Sequence, residues 1–264
     1  MGLRTVAATR YVTPLREGGS LPAIVEADDS GTYVLKFRGA GQGPKALVAE
    51  VIAGEIARVL GLPVPQLVLI ELDPVLGRNE PDYEIRSLLR SSAGTNLGVD
   101  YLPGSLAFEP GLIAVESSLA AKVVWFDALV ANVDRTARNT NLLWWHRQLY
   151  LIDHGAALVF HHEWTDGAGG PAGDDIAARA RQPFSRIRDH VLLQMASDVL
   201  VADEELAPRL TESVLRDIVG LVPDGWLEGD PVVARERYVT HFKARLSGPR
   251  TFAEDAEHAR QALI

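Results

Sequence analysis

Two pairs of small residues, Gly18-Gly19 and Ser30-Gly31, cut the first 37 residues into three short runs, "TVAATRYVTP", "LPAIVEA" and "TYVLKF". Such pairs supply the positive-φ positions that tight reversals need, so the spacing predicts a three-stranded antiparallel meander. After the glycine-rich "RGAGQGP" the period changes. Leu47, Val51, Ile52, Ile56, Val59 and Leu60 recur at helical spacing and stop at Gly61 and Pro63, which predicts one amphipathic helix. "PQLVLIELDP" and "TNLGVDYLPGS" return to strand character. From residue 111 the pattern is helical in "GLIAVESSLAAKVVWFDALVAN", forms a short hairpin in "NLLWWHRQLYLID", and is helical for nearly all of the chain beyond 176. The expected class is α+β, split into a β-rich part at 1–103 (an antiparallel sheet plus one helix) and an α-rich part at 104–264.

Composition narrows the function classes. A hydrophobic share of 47% over 264 residues supports a large core, while a formal net charge of -9 argues against broad adhesion to nucleic acid or anionic membrane. The absence of cysteine excludes disulfides, thiolate metal sites and a cysteine nucleophile. The amino terminus "MGLRTVAATRYVTPL" lacks the apolar core of a signal peptide, and no run approaches the roughly 18 apolar residues of a membrane span. A soluble, cytoplasmic protein is expected. The low-complexity stretch "EWTDGAGGPAGDD" (163–175) is expected to be a mobile loop.

Against this apolar background a few polar residues stand out by position. Lys36 lies near the end of the third run, in "YVLKF", where a lone lysine calls for a partner. The following helix offers Glu50 and Glu55. Their spacing of five places them on different sides, and Glu50 shares the face of Leu47 and Val51, so Glu50 is the preferred partner. Further on, "ANVDRTARNTN" (131–141) is densely polar directly behind the apolar "VVWFDALV". Asn139 follows Asp134 by five positions, a spacing that can present a base and a metal ligand from one turn. Fourteen residues beyond Asn139, the apolar "LYLIDHG" ends in Asp153, with Gly155 two positions later.

A strand lysine, a helix glutamate, Asp-x4-Asn and a strand-borne Asp-x-Gly, in that order, suit phosphoryl transfer from ATP, which asks chiefly for held phosphates, a placed metal and an oriented hydroxyl. The phrase "AEVIAGEIARVLGLPVP", with Glu50 in it, and the loop "NVDRTARN" resemble the HipA-like kinase family over residues 5 to about 200. That resemblance implies a two-lobed protein-kinase-like fold using ATP and Mg²⁺. It also implies Asp134 as catalytic base, Asn139 and Asp153 as magnesium ligands, and Lys36 as the lysine on the phosphates. The implied acceptor is a hydroxyl, expected on Ser or Thr of a protein. An aminoglycoside- or choline-kinase-like phosphotransferase acting on a small molecule, and a nucleotide-binding pseudokinase regulating a partner protein, are the alternatives.

Other positions carry two readings each. "REGGS", with Gly18, Gly19 and Ser20, either cradles phosphates with its backbone amides or merely turns a hairpin; Ser20 is also a candidate autophosphorylation site. "RGAGQGPK" is no Walker A loop and reads as a connector. The backbone of Asp100, Tyr101 and Leu102, where the lobes would join, either binds adenine or ends a strand. Arg135 and Arg138 either neutralise phosphate charge or cover a helix end. His161 and His162 read as a solvent-exposed loop rather than a metal site. Trp144 and Trp145 read as packing rather than a base-stacking platform.

Overall fold

The computed structural model describes residues 2–15, 21–78, 80–164 and 173–263. The three opening runs become β1 (Arg4–Pro14), β2 (Ala23–Ala27) and β3 (Thr32–Lys36), followed by helix α1 (Gly43–Val59), β4 (Leu67–Leu72), α2 (Tyr83–Ser91) and β5 (Gly94–Asp100). The expected meander is present, since β2 pairs antiparallel with both β1 and β3. It does not stay an open antiparallel sheet. The strands close into a barrel in the order β1-β2-β3-β5-β4, sealed by a parallel pairing of Arg4–Ala7 with Val68–Glu71. Val6, Val25, Leu35, Val68 and Ile70 fill its interior. Closure is tight at Gly98, where a Cβ would overlap the side chains of Ile70 and Val68.

Two expectations for this half need correction. A second helix, α2, is present. Asp82 caps it by accepting from the amides of Glu84 (2.9 Å) and Ile85 (3.4 Å), and Ile85 and Leu89 bury its inner face against the barrel. The first helix, moreover, is not amphipathic. Every residue from Leu47 to Ala57 is buried, because only Glu50 and Glu55 interrupt an otherwise apolar or small stretch, and a helix apolar all round is covered all round. Its core contacts belong to the same cluster as those of the helical half.

The rest of the chain comprises β6 (Leu106–Ala107), α3 (Ser117–Leu129), the hairpin β7 (Leu142–Trp145) and β8 (Gln148–Leu151), then α4 (Gly173–Ala180), α5 (Val199–Leu206), α6 (Glu212–Val219), α7 (Pro231–Leu246) and α8 (Thr251–Gln261). The hairpin turns through His146 and Arg147, both left-handed (φ 48° and 65°), as a two-residue turn matched to strand twist requires. Strand β6 adds a third strand to it. Helix α3 runs through the middle of this half, with Ala120, Ala121 and everything from Val123 to Leu129 buried. Polar contacts bind the two halves: Lys45 at the start of α1 pairs with Glu228 (2.8 Å) and donates to the carbonyl of His161 (3.1 Å), and Arg209 donates to the carbonyl of Leu60 (3.1 Å). Trp226 Nε1 donates to the Thr95 carbonyl (3.3 Å), and Trp145 Nε1 to that of Pro103 (2.9 Å). Trp145 thus packs as expected. Part of the expected loop at 163–175 begins α4, and residues 165–172 lie outside the described residues. Among the described residues no helix is long and apolar enough to cross a membrane.

Candidate active site

Lys36 leaves the barrel at the end of β3, beneath the buried Leu35 and beside α1. Its Nζ bonds the carboxylate of Glu50 on α1 and, at 2.8 Å, Oδ1 of Asp153 just beyond β8. The lysine, the helix glutamate and the Asp-x-Gly aspartate therefore meet at one point, although 117 positions separate Lys36 from Asp153. Glu55 lies on another side of α1 and pairs with Arg58 (3.0 Å). Gly155 packs closely at the join: a Cβ there would stand 3.2 Å from Glu50 Oε1, tight enough that the Glu50 carboxylate would have to shift by a few tenths of an ångström.

One ammonium facing two carboxylates leaves a surplus negative charge, and the more deeply buried acid keeps the proton. Burial pushes Glu50 up to about 7 in spite of Lys36. Asp153, with half its side chain exposed, is held below the usual carboxylate range because the charge of Lys36 outweighs its burial. For Lys36 the desolvation cost is outweighed by Glu50 and then Asp153, and its pKa rises. A carboxyl raised from an ordinary 4.5 to about 7 on folding contributes stability that is complete below 4.5 and lost as pH rises through about 7. The thermal midpoint of the protein, relative to that of Glu50→Gln, is therefore expected to fall between about pH 4.5 and about pH 7; parallel curves for the two would refute the assignment.

The polar stretch behind α3 is organised around Asp134. Asn139 Nδ2 donates to Asp134 Oδ2 at 2.7 Å and Asn141 Nδ2 to the same oxygen at 3.2 Å, while Asn132 Oδ1 accepts from the Asp134 amide at 3.1 Å. All three asparagines of the stretch thus touch one aspartate. Left-handed, non-glycine residues stand at its two ends, Ala131 (φ 51°) and Asn141 (φ 47°), and again at Asp153 (φ 55°). Each such residue costs on the order of 1–3 kcal/mol and persists only where its surroundings over-determine it.

That over-determination comes from below. Asp127 of α3, fully buried, accepts from Arg135 Nε (2.5 Å), His190 Nε2 (2.8 Å) and Asn132 Nδ2 (2.8 Å). The Leu192 amide donates to His190 Nδ1 (3.1 Å), so the imidazole proton is on Nε2, where it faces Asp127. Although burial opposes ionisation of Asp127, the Arg135 charge and the His190 hydrogen bond hold its carboxyl well below the usual range. His154, beside Asp153, stays neutral: burial first, then Arg135, bring it down to about 3. Arg135 is therefore buried and committed, and of its two readings the one in which it neutralises phosphate is ruled out. Arg138 is exposed on the same loop. Asp127, His154 and His190 were not singled out in the sequence. A lone acid in "VVWFDALV" was the available signal, of the same kind that identified Lys36.

Of the remaining candidates, Gly18, Gly19 and Ser20 lie outside the described residues. The amides of Asp100 and Tyr101 are already donated to the carbonyls of Gln66 (2.9 Å) and Thr32 (3.0 Å), whereas among the described residues the Leu102 amide has no such partner. Asp100, Tyr101 and Leu102 line a cleft of about 550 Å³ with Val34, Val99, Leu143 and Ile152, and Lys36 and Asp153 stand in its wall. His161 is not in an exposed loop. It is buried in a 3-10 turn (Val159–Glu163) with Nδ1 on the Tyr238 hydroxyl at 3.0 Å; only His162 is exposed. Among the described residues no three His, Cys, Asp or Glu converge on a point where they alone could hold a metal. Asp153 presents a half-exposed carboxylate, a hard oxygen donor of the kind that suits a divalent ion completed by water and phosphate oxygens.

The fold and the ordered polar set are those of a protein-kinase-like phosphotransferase. A family model, HipA-like kinase, matches residues 9–168, more than half of the chain, and the chain belongs to that family. Among solved structures, the Helicobacter pylori proinflammatory kinase CtkA is similar at 13% identity and a TM-score of 0.51, covering 92% of this chain and 94% of that one, a likeness of fold. A Golgi casein kinase with Mn/ADP bound matches at 13% identity and a TM-score of 0.46, over 98% of this chain and 73% of that one. No curated protein matches the sequence.

Proposed function

We propose that this kinase transfers the γ-phosphate of ATP, with Mg²⁺, to a Ser or Thr hydroxyl of a protein acceptor. The observation that carries the reading is the meeting of Lys36, Glu50 and Asp153, with Lys36 and Asp153 standing in the wall of the 550 Å³ cleft. In this reading residues 1–103 are an N-lobe that holds the nucleotide and 104–264 a C-lobe that carries the catalytic loop. The base packs against Val34, Val99 and Leu143, with the Leu102 amide, which has no backbone partner among the described residues, at its edge. Asp100 and Tyr101 contribute carbonyls and shape rather than amides. Lys36, oriented by Glu50, neutralises phosphate oxygens. When bound, magnesium neutralises the charge of the transferring phosphoryl group. Asp153 and Asn139 hold it, and the Asp134 carboxylate, aimed by Asn139 and Asn141, accepts the proton of the attacking hydroxyl.

The test is transfer of label from γ-labelled ATP, measured with a Ser/Thr peptide library and with a panel of small hydroxylated metabolites. Label is expected on peptide hydroxyls, and Lys36→Met is expected to lower the rate by about 10²-fold, the scale of removing one preorganised charge-stabilising group. Label on metabolites alone would replace the acceptor class with the small-molecule alternative. Calorimetric binding of ATP with no transfer to anything would mark a pseudokinase and overturn the proposal.

A further inference from the structure

The guanidinium of Arg135 touches both sides of the aspartate that the functional reading assigns to the metal. From the position next to Asp134, Nη1 donates to the carbonyls of Asn141 and Ile152 (3.4 Å for the latter), and Nη2 bonds His154 Nδ1 at 3.2 Å. Ile152 and His154 flank Asp153. The Ile152 amide in turn donates to the Asn141 carbonyl (3.1 Å), so Arg135 Nη1 and the Ile152 amide share one acceptor. The main chain of Arg135 is fixed as well, its carbonyl accepting from the Val191 amide at 3.1 Å. Both Arg135 and its counter-ion Asp127 have side chains with 0% exposure, so the arm has no solvent to exchange these bonds with.

We infer that Arg135 is a positioning residue that sets the separation of Asp134 from Asp153, clasping the metal-binding turn from the residue adjacent to the base. The inference rests on the proposed roles of those two aspartates. Arg135 makes no contact with nucleotide or acceptor in this assignment; it acts through residues 141, 152 and 154. The requirement is for a planar fork with several donors in fixed directions. A lysine would keep the charge opposite Asp127 but could not reach Asp127, two carbonyls and an imidazole at once.

The test compares the full-length Arg135→Lys protein with Arg250→Lys, which disturbs a remote arginine bound through two nitrogens to Asp203 (2.7 and 2.8 Å from Nε). In nucleotide-free protein, amide hydrogen exchange at residues 151–155 is expected to quicken about tenfold in Arg135→Lys, the equivalent of losing one to two hydrogen bonds' worth of local protection, and to stay unchanged in Arg250→Lys. Per folded molecule, kcat is expected to fall by about 10²-fold with KM for ATP nearly constant, since displacement on the ångström scale costs that much. Should Arg135→Lys not fold, His154→Phe removes one acceptor of the arm and is expected to move both readouts in the same direction by less. Exchange and kcat matching those of Arg250→Lys would overturn the inference. Unchanged turnover in Asp153→Ala would overturn the functional reading instead, and the exchange result would then stand by itself.

Discussion

Replacing Asp134 by asparagine is expected to lower phosphate transfer by about 10³-fold, the middle of the range for loss of a positioned general base, with ATP affinity nearly unchanged. The substitution is nearly isosteric, and the amide oxygen at position 134 can still accept from Asn139 and Asn141, which donate to Asp134 Oδ2 in the native protein. Stability should therefore move by no more than about 1 kcal/mol. What is lost is the ability to take a proton. Turnover within tenfold of the native rate, measured at saturating ATP, would remove Asp134 from the role of base and leave Lys36, Glu50 and Asp153 as the nucleotide site without it.

Asp127→Ala is expected to produce the largest loss of stability of any single change in the helical half, about 3–5 kcal/mol by urea denaturation. The cost comes less from the contacts deleted than from what stays behind. Arg135 would remain fully buried with its charge uncompensated, and His190 and Asn132 would each lose an acceptor. A second change, Arg135→Met in the Asp127→Ala background, removes the stranded charge and is expected to recover part of the loss. The pair should thus be strongly non-additive in a double-mutant cycle. Additive effects, or a single-variant cost below about 1 kcal/mol, would show that the hub under the catalytic loop contributes little to stability.

How much of this was legible in the sequence follows from where each signal resides. Lys36 with Glu50 could be read because a lysine in an apolar strand demands a partner, and helical periodicity then chose between two glutamates. Asp134 with Asn139 could be read because the pairing is local, five positions along one loop. Barrel closure could not, since the parallel pairing of Arg4–Ala7 with Val68–Glu71 joins segments more than sixty residues apart and leaves no periodic trace. Helix α2 was passed over because it is short and buries only Ile85 and Leu89. Arg135 stayed between two readings, phosphate neutraliser or helix-end cover, because a basic residue beside a proposed base suits either. Its true partner, Asp127, was hidden as one polar letter in an apolar helix.

The encasement of α1 has a consequence for how such an enzyme is governed. Outward swing of the helix that bears the lysine's glutamate would separate Glu50 from Lys36 and shut the site. Here that swing would bring into water a segment buried from Leu47 to Ala57, five of whose side chains, Leu47, Val48, Val51, Ile52 and Ile56, are large and aliphatic. At roughly 1.5–3 kcal/mol for each such side chain, the opened state lies on the order of 10 kcal/mol above the closed one, comparable to the stability of a whole domain. No ordinary effector binding energy spans that gap. Burial of α1 thus holds Glu50 beside Lys36, and an outward swing of the helix is not expected to part them.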